Sequence, residues 1–144
     1  MVFIFDENFS YRLAHGINAL EEGNINQGTP CKVYHIKDLA KQLDVSPKNG
    51  KSYTDEEVIE IAGQVKGTII TQDEDFRSIK HYYQLYKEHK VGVVFFKTYK
   101  TSKGYWNTVS YIINHWNNMK AKAESAHKPF AFLVDSKGIQ PMNF

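Results

Sequence analysis

Apolar residues fall along this chain in two alternating rhythms. Short unbroken runs, VFIF at 2–5, CKVYHI at 31–36, TIIT at 68–71 and VGVVFF at 91–96, have the length and β-branched content of buried strands. Between them the spacing opens to three and four. Phe9, Leu13, Ile17 and Leu20 mark one helix face, Phe76, Ile79, Tyr83 and Tyr86 another, and Tyr105, Val109, Ile112, Trp116 and Met119 a long last one. The segment 54–67 opens with Thr54 and, three residues on, Glu57, a capping-box pattern, and closes at Gly67. DLAKQL, opened by Asp38, reads as a short helix, and DVSPKNGKSY as a loop. Strands alternating with helices predict an α/β fold: a Rossmann-like three-layer sandwich with a mainly parallel central sheet. FAFLV and IQPMNF, on either side of DSKG, predict a C-terminal β-hairpin at a sheet edge, because Pro141 has no N–H for an inner ladder.

Composition narrows the class without naming it. The 144 residues suit one domain, 1–144, with a continuous core, and 42% hydrophobic with 24% charged residues is the balance of a globular chain rather than a disordered one. No apolar run approaches the roughly 20 residues that cross a bilayer. MVFIFDE lacks a basic leader region and reads as a first strand, so a cytoplasmic protein with no membrane partner is expected. Cys31 is the only cysteine, which excludes an internal disulfide and a zinc site built on several thiolates. The net charge of +2 permits a nucleic-acid partner only if the lysines gather on one face.

Ligands of open α/β sheets lie beyond the carboxyl ends of the strands, so the residues following each strand matter most. Asp6, Glu7 and Asn8 follow the first; Thr71, Asp73 and Asp75 end or follow the third; Asp55, Glu56 and Glu57 open the helix before it. Each group has an ordinary reading: acids suit the first turn of a helix, Asp75 can cap the helix near Phe76, and Asp6, Glu7 and Asp73 can be solvated turn residues. Brought into one pocket, however, like charges about 4 Å apart repel by roughly 4 kcal/mol at an effective dielectric near 20. A hard dication relieves that repulsion, and all-oxygen donors suit Mg²⁺ or Mn²⁺.

FIFDEN (3–8), YTDEEVIEIA (53–62), GTIITQDEDF (67–76) and GVVFFK (92–97), in this order, resemble a compact branch of the PIN-like nuclease superfamily that is similar to VapC-type toxins. The pattern there is D-E-N, then D-E-E at a helix start, then T-x-D-x-D-F, and the likeness extends to the terminal hairpin. The resemblance implies a single PIN-like domain that hydrolyses RNA phosphodiesters with water and Mg²⁺ or Mn²⁺, with a small antitoxin protein as partner. It implies Asp6 as first metal ligand, Asp55 as second with Glu56 as its alternative, and Asp73 as third. Asp75 becomes a fourth ligand or an orienting residue. Asn8 steers a metal-bound water or a substrate phosphate, Thr71 hydrogen-bonds a ligating carboxylate, and Glu7 points away. Two stretches, 44–53 and TYKTSKGYW (98–106), are longer than in that branch, which bears on substrate fit.

An acidic pocket repels phosphate, so cations must surround it. Arg12, Lys48, Lys51, Arg77, Lys97, Lys100 and Lys103 are the candidates. FFKTYKTSKGYW interleaves lysines with Tyr99, Tyr105 and Trp106, a mixture that holds backbone and stacks bases of single-stranded RNA. The competing expectation is a solvated loop, with Tyr105 and Trp106 belonging to the last helix's apolar stripe. The six histidines show neither H-x-H nor H-E-x-x-H spacing and are read as structural or surface residues. Nine tyrosines and nine phenylalanines exceed what a small core needs and allow an exposed patch suited to a homodimer or partner. Two other classes stay open: a receiver-like signalling domain phosphorylated on Asp73, using Thr71 and Lys97, and a non-catalytic PIN-like interaction module.

Overall fold

A computed structural model describes residues 1–24, 30–72 and 79–143, the side chains of residues 79 and 80 excepted. The first half of the chain forms β1 (Val2–Phe5), α1 (Tyr11–Glu22), β2 (Lys32–His35), α2 (Ile36–Gln42) and α3 (Asp55–Gln64). The second half forms β3 (Thr68–Thr71), α4 (Ile79–His89), β4 (Gly92–Phe96), α5 (Tyr105–Ser125), β5 (Phe130–Asp135) and β6 (Gly138–Pro141). One six-stranded sheet runs in the order β2-β1-β3-β4-β5-β6. Every pairing is parallel except β5 with β6, the expected terminal hairpin, and Pro141 lies on the outermost strand. The three-layer α/β sandwich expected from the periodicity is the fold observed.

Residues two apart in a strand face opposite layers from their neighbours, and the sheet uses this to build two cores. Phe3, Phe5, Ile70, Val94 and Phe96 face α1 and α5, where Leu13, Ile17, Ile112, Trp116 and Met119 close the layer. Ile4, Ile69, Val93 and Phe95 face α2, α3 and α4, against Leu39, Ile59, Ala62 and Tyr86. Because β1, β3 and β4 are covered on both sides, their runs are apolar without alternation. Gly92 opens β4 where the Phe130 ring crosses the backbone; any Cβ there would collide with that ring.

The capping box forms as read: Glu57 N–H donates to the Thr54 hydroxyl and Thr54 N–H to Glu57 Oε1, at 3.2 and 3.1 Å. Two helices differ from the expected pattern. Helix α2 begins at Ile36, not Asp38, because His35 caps it by accepting Lys37 N–H at 3.3 Å. In α1 Leu20 is exposed and Glu21 is buried. At 100° per residue, Leu13, Ala14, Ile17 and Glu21 share one face while Leu20 falls on its margin.

Burying Glu21 requires partners, and α5 supplies them. Lys120 Nζ reaches its two carboxylate oxygens at 2.8 and 2.9 Å, and the Trp116 indole N–H donates at 2.7 Å. Burial pushes the Glu21 carboxyl up, but these donors, with the Cys31 thiol, outweigh it and hold the group below its ordinary value. Cys31, buried beside that carboxylate, has its thiol pushed up to about 12 and is inert as a nucleophile. The pair ties α1 to α5 across the layer. Lys120→Ala should therefore cost about 3–5 kcal/mol in urea unfolding by leaving Glu21 charged and alone. Replacing both members, Glu21→Leu with Lys120→Leu, should cost much less; equal losses would show that the ion pair itself is the stabilising element.

Candidate metal centre

Neighbouring strands of a parallel sheet open a crevice where their following elements leave on opposite faces. Here that point lies between β1 and β3, since β1 leads to α1 on one face and β3 to α4 on the other. Asp6 is the first residue beyond β1. Its N–H donates to Ile70 O at 3.1 Å, carrying the pairing with β3 one residue further. Its carboxylate accepts the Thr71 hydroxyl through Oδ2 and the Asn8 N–H through Oδ1, the latter at 3.1 Å. Asp6 and Thr71 are both buried, so the carboxylate is fixed by the end of the adjacent strand and by its own turn.

His35, at the end of β2, braces that turn from the far side. Its Nε2–H donates to Phe9 O at 2.9 Å while Nδ1 accepts from Lys37, which fixes a neutral tautomer with both nitrogens used. Burial holds the imidazole below its ordinary value near 6.5, against a smaller opposing pull from the Phe9 carbonyl.

The facing wall is the start of α3. Asp55, in the first turn after Thr54, is half-buried, and the Tyr82 hydroxyl of α4 donates to its Oδ2 at 3.4 Å. Asp6, Glu7, Asn8, Ser52, Tyr53, Asp55 and Val58 line one cleft of about 190 Å³. Carboxylates 49 residues apart in the chain thus share one cavity. Glu56, one step of about 100° further round the helix, is exposed and outside the cleft lining, so of the two alternatives the cleft receives Asp55.

The other acids at these element ends are engaged in holding the loop before α3. Glu7 lines the cleft rather than pointing away; its Oε1 accepts the Tyr53 N–H at 2.7 Å, and Lys37 Nζ stands 4.0 Å from Oε2. Glu57 accepts the backbone N–H groups of Thr54 and Lys48, both at 3.1 Å. The Thr54 amide first, with Lys48 and the Thr54 hydroxyl adding, holds the Glu57 carboxyl below its ordinary value against the cost of its burial. Asn8, Arg12, Lys48, Lys51 and Lys97 are exposed. Lys97 Nζ lies 5.3 Å from the centre of the Tyr99 ring. Asp73 and Asp75, with Arg77, lie outside the described residues.

Among the described residues, no three or more His, Cys, Asp or Glu side chains gather in a group able to hold a metal. The cleft itself is lined by the Asp6 and Asp55 carboxylates, and by Glu7, which is engaged by Tyr53 N–H, with no sulfur or imidazole, an oxygen donor set that suits Mg²⁺ or Mn²⁺ and not zinc. Tyr82 and His35 were not apparent as site residues in the sequence. His35 carried no local motif, and Tyr82 lies off the apolar stripe that defined its helix.

Residues 1–98 match the family model described as a PIN like domain. No curated protein and no solved structure matches the chain. No helix among the described residues is long and apolar enough to cross a membrane.

The brace at His35 has a pH signature. Unfolded chains take up a proton at this residue below about pH 6.5, whereas the folded imidazole resists it. Its contribution is therefore intact above that pH and lost as the pH falls toward the lowered folded value. His35→Gln, whose amide can still donate to Phe9 O, should flatten the loss of urea-unfolding stability as the pH falls below about 6.5. The further loss as Glu21 and Glu57 protonate, beginning near 4.5, should remain. An unchanged slope in the upper window would assign it to another group.

Proposed function

The chain belongs to the PIN-like domain family, a nuclease-type superfamily, and on that premise we propose that it is a Mg²⁺- or Mn²⁺-dependent ribonuclease hydrolysing phosphodiester bonds in RNA. The observation that carries this reading is the meeting of Asp6 and Asp55 in one cleft at the point where the strand order reverses.

In this reading Asp6 and Asp55 hold the cation, with Asp73 and Asp75, which follow β3 in sequence, as the further carboxylates. A bound Mg²⁺ or Mn²⁺ supplies polarisation of the phosphodiester and a more acidic water. Thr71 and the Asn8 amide keep the Asp6 carboxylate aimed, and the Tyr82 hydroxyl does the same for Asp55. In the same reading the Asn8 side chain, an exposed member of the cleft lining, meets a substrate phosphate. Glu7 and Glu57 fix Tyr53 and Thr54, so the wall opposite Asp6 is held before substrate arrives.

The toxin role extends the proposal, with a small antitoxin protein as partner: expression of this chain should arrest growth, and co-expression of a small neighbouring gene, if one encodes that partner, should relieve it. A receiver-like domain shares the strand order 2-1-3-4-5, so order alone does not separate the two readings. The family match favours the nuclease, and the absence of a mass gain after incubation with acetyl phosphate would close the receiver reading.

Two measurements test the site. Single-stranded RNA should be cut in Mn²⁺ and left intact in EDTA, and Asp6→Asn or Asp55→Asn should lower kcat/KM by about 100-fold or more with folding retained. Metal bound by calorimetry without any cleavage would instead favour a non-catalytic interaction module. Thr71→Val should weaken Mn²⁺ binding about 10- to 100-fold, because the carboxylate it leaves is no longer oriented. Wild-type affinity in that variant would remove Thr71 from the site.

A further inference from the structure

The exposed tyrosine and tryptophan side chains among the described residues lie in the first turns of α1 and α5. They are Tyr11, 51% exposed, Tyr105, 48%, and Trp106, 74%. The Tyr105 and Trp106 rings meet edge to face with centroids 5.3 Å apart. On α1, the Arg12 guanidinium carbon lies 5.7 Å from the centre of the Tyr11 ring, and its Nε donates to the Tyr11 hydroxyl at 3.3 Å. Helices α1 and α5 pack on the same face of the sheet, where Trp116 and Lys120 of α5 reach Glu21 of α1, and each follows a parallel strand, so their starts lie at the same end of that layer. The Tyr11 hydroxyl first, with a small contribution from Tyr105, holds the Arg12 guanidinium above its ordinary value. The expectation that Tyr105 and Trp106 join the apolar stripe fails because the buried residues of α5 begin only at Ile112. The other aromatics of the region are occupied. Tyr99 accepts Ser136 N–H at 2.9 Å and Tyr111 donates to Val134 O at 3.1 Å.

Charge selects among the possible occupants. From His89 to Ala123 the chain contains no aspartate or glutamate, yet it carries six lysines. Lys120 is spent on Glu21, whereas Lys100 and Lys103, just before Tyr105, are exposed. Exposed rings among uncompensated cations fit a polyanion with flat, unpaired bases better than an apolar protein face. The patch also begins at the residue following Ser10, the cap of α1, immediately beyond the Asp6–Phe9 turn. Its α5 half lies past residue 98, outside the span matched by the family.

We propose that Tyr11, Arg12, Tyr105 and Trp106 form a stacking platform for single-stranded RNA, whose backbone passes Asn8 to reach the Asp6–Asp55 cleft. The proposal rests on the ribonuclease reading for the identity of its ligand. Bases stack on Trp106 and Tyr105, Arg12 meets a phosphate or a base face, and Lys100 and Lys103 follow the backbone.

The test uses a labelled single-stranded RNA of about 12 nucleotides in EDTA, where cleavage plays no part. Binding should quench the emission of Trp106, the exposed one of two tryptophans; Trp106→Phe should keep most of the affinity and lose most of the quenching. The double variant Tyr105→Ala, Trp106→Ala should bind about tenfold or more weakly. Arg12→Gln should reduce the slope of log affinity against log salt by about 0.7. Native-like circular dichroism in each variant secures the comparison. Wild-type affinity in the folded double variant overturns the platform, even if RNA is cleaved. So does a loss of self-association by that variant with RNA binding unchanged, which would make the face an interface between copies. Quenching and the variant effects without any metal-dependent cleavage would keep the platform and sink the ribonuclease.

Discussion

The contact on which the site depends is the one between the ends of β1 and β3. A buried carboxylate is costly unless donors surround it. Asp6 meets that condition because the ladder with β3 continues through its own amide to Ile70, which brings the Thr71 hydroxyl to Oδ2. The same strand pair is where the chain departs to opposite faces, so the position that fixes the carboxylate also leaves space in front of it. The position of the carboxylate and that of the cleft have one cause, the reversal of strand order.

Local geometry then divides the neighbouring acids among different tasks. Glu7 and Glu57, with two oxygens each, accept backbone N–H groups of the loop before α3, a role in which a carboxylate is worth more than a neutral acceptor. Glu21 lies on the far layer and serves the α1–α5 contact. Asp6 and Asp55, the shorter side chains, line the cleft from two separate backbone segments, held by Thr71 and Asn8 and by Tyr82. The loop wall is thus held by Glu57 from behind and by Glu7 from within the cleft.

Much of the architecture was legible in the sequence because buried parallel strands and capping boxes leave local marks. TIIT appears as β3 with its bounds unchanged, the box at Thr54 and Glu57 forms, and Pro141 lies on the outermost strand. The misreadings arise where a partner distant in sequence decides. Glu21 is a surface residue by type, and only Lys120 and Trp116, about a hundred positions away, permit its burial. Leu20 keeps the spacing of the apolar stripe but lies at the margin of the face that the sheet covers. Asp55 and Glu56 are equivalent in sequence, and the rotation of α3 against β1 distinguishes them. Tyr105 shares the stripe of α5 yet stands before the point where the helix meets the core.

The distribution of charge along the carboxyl edge of the sheet gives these details one direction. On the α3 side the edge presents Asp6, Glu7 and Asp55; on the α1–α5 side it presents Arg12, Lys100 and Lys103 beside exposed rings. At physiological ionic strength charges interact appreciably over about 8 Å, so a ligand that lies along this edge meets both regions in turn. An anion is drawn to the basic side and repelled from the acidic side, and a dication the reverse. A ligand that is both anionic and metal-binding satisfies both regions at once, which neither a simple anion nor a lone cation can do. Under the proposed ribonuclease function, that segregation suits a phosphate chain bound jointly with a metal better than either species alone.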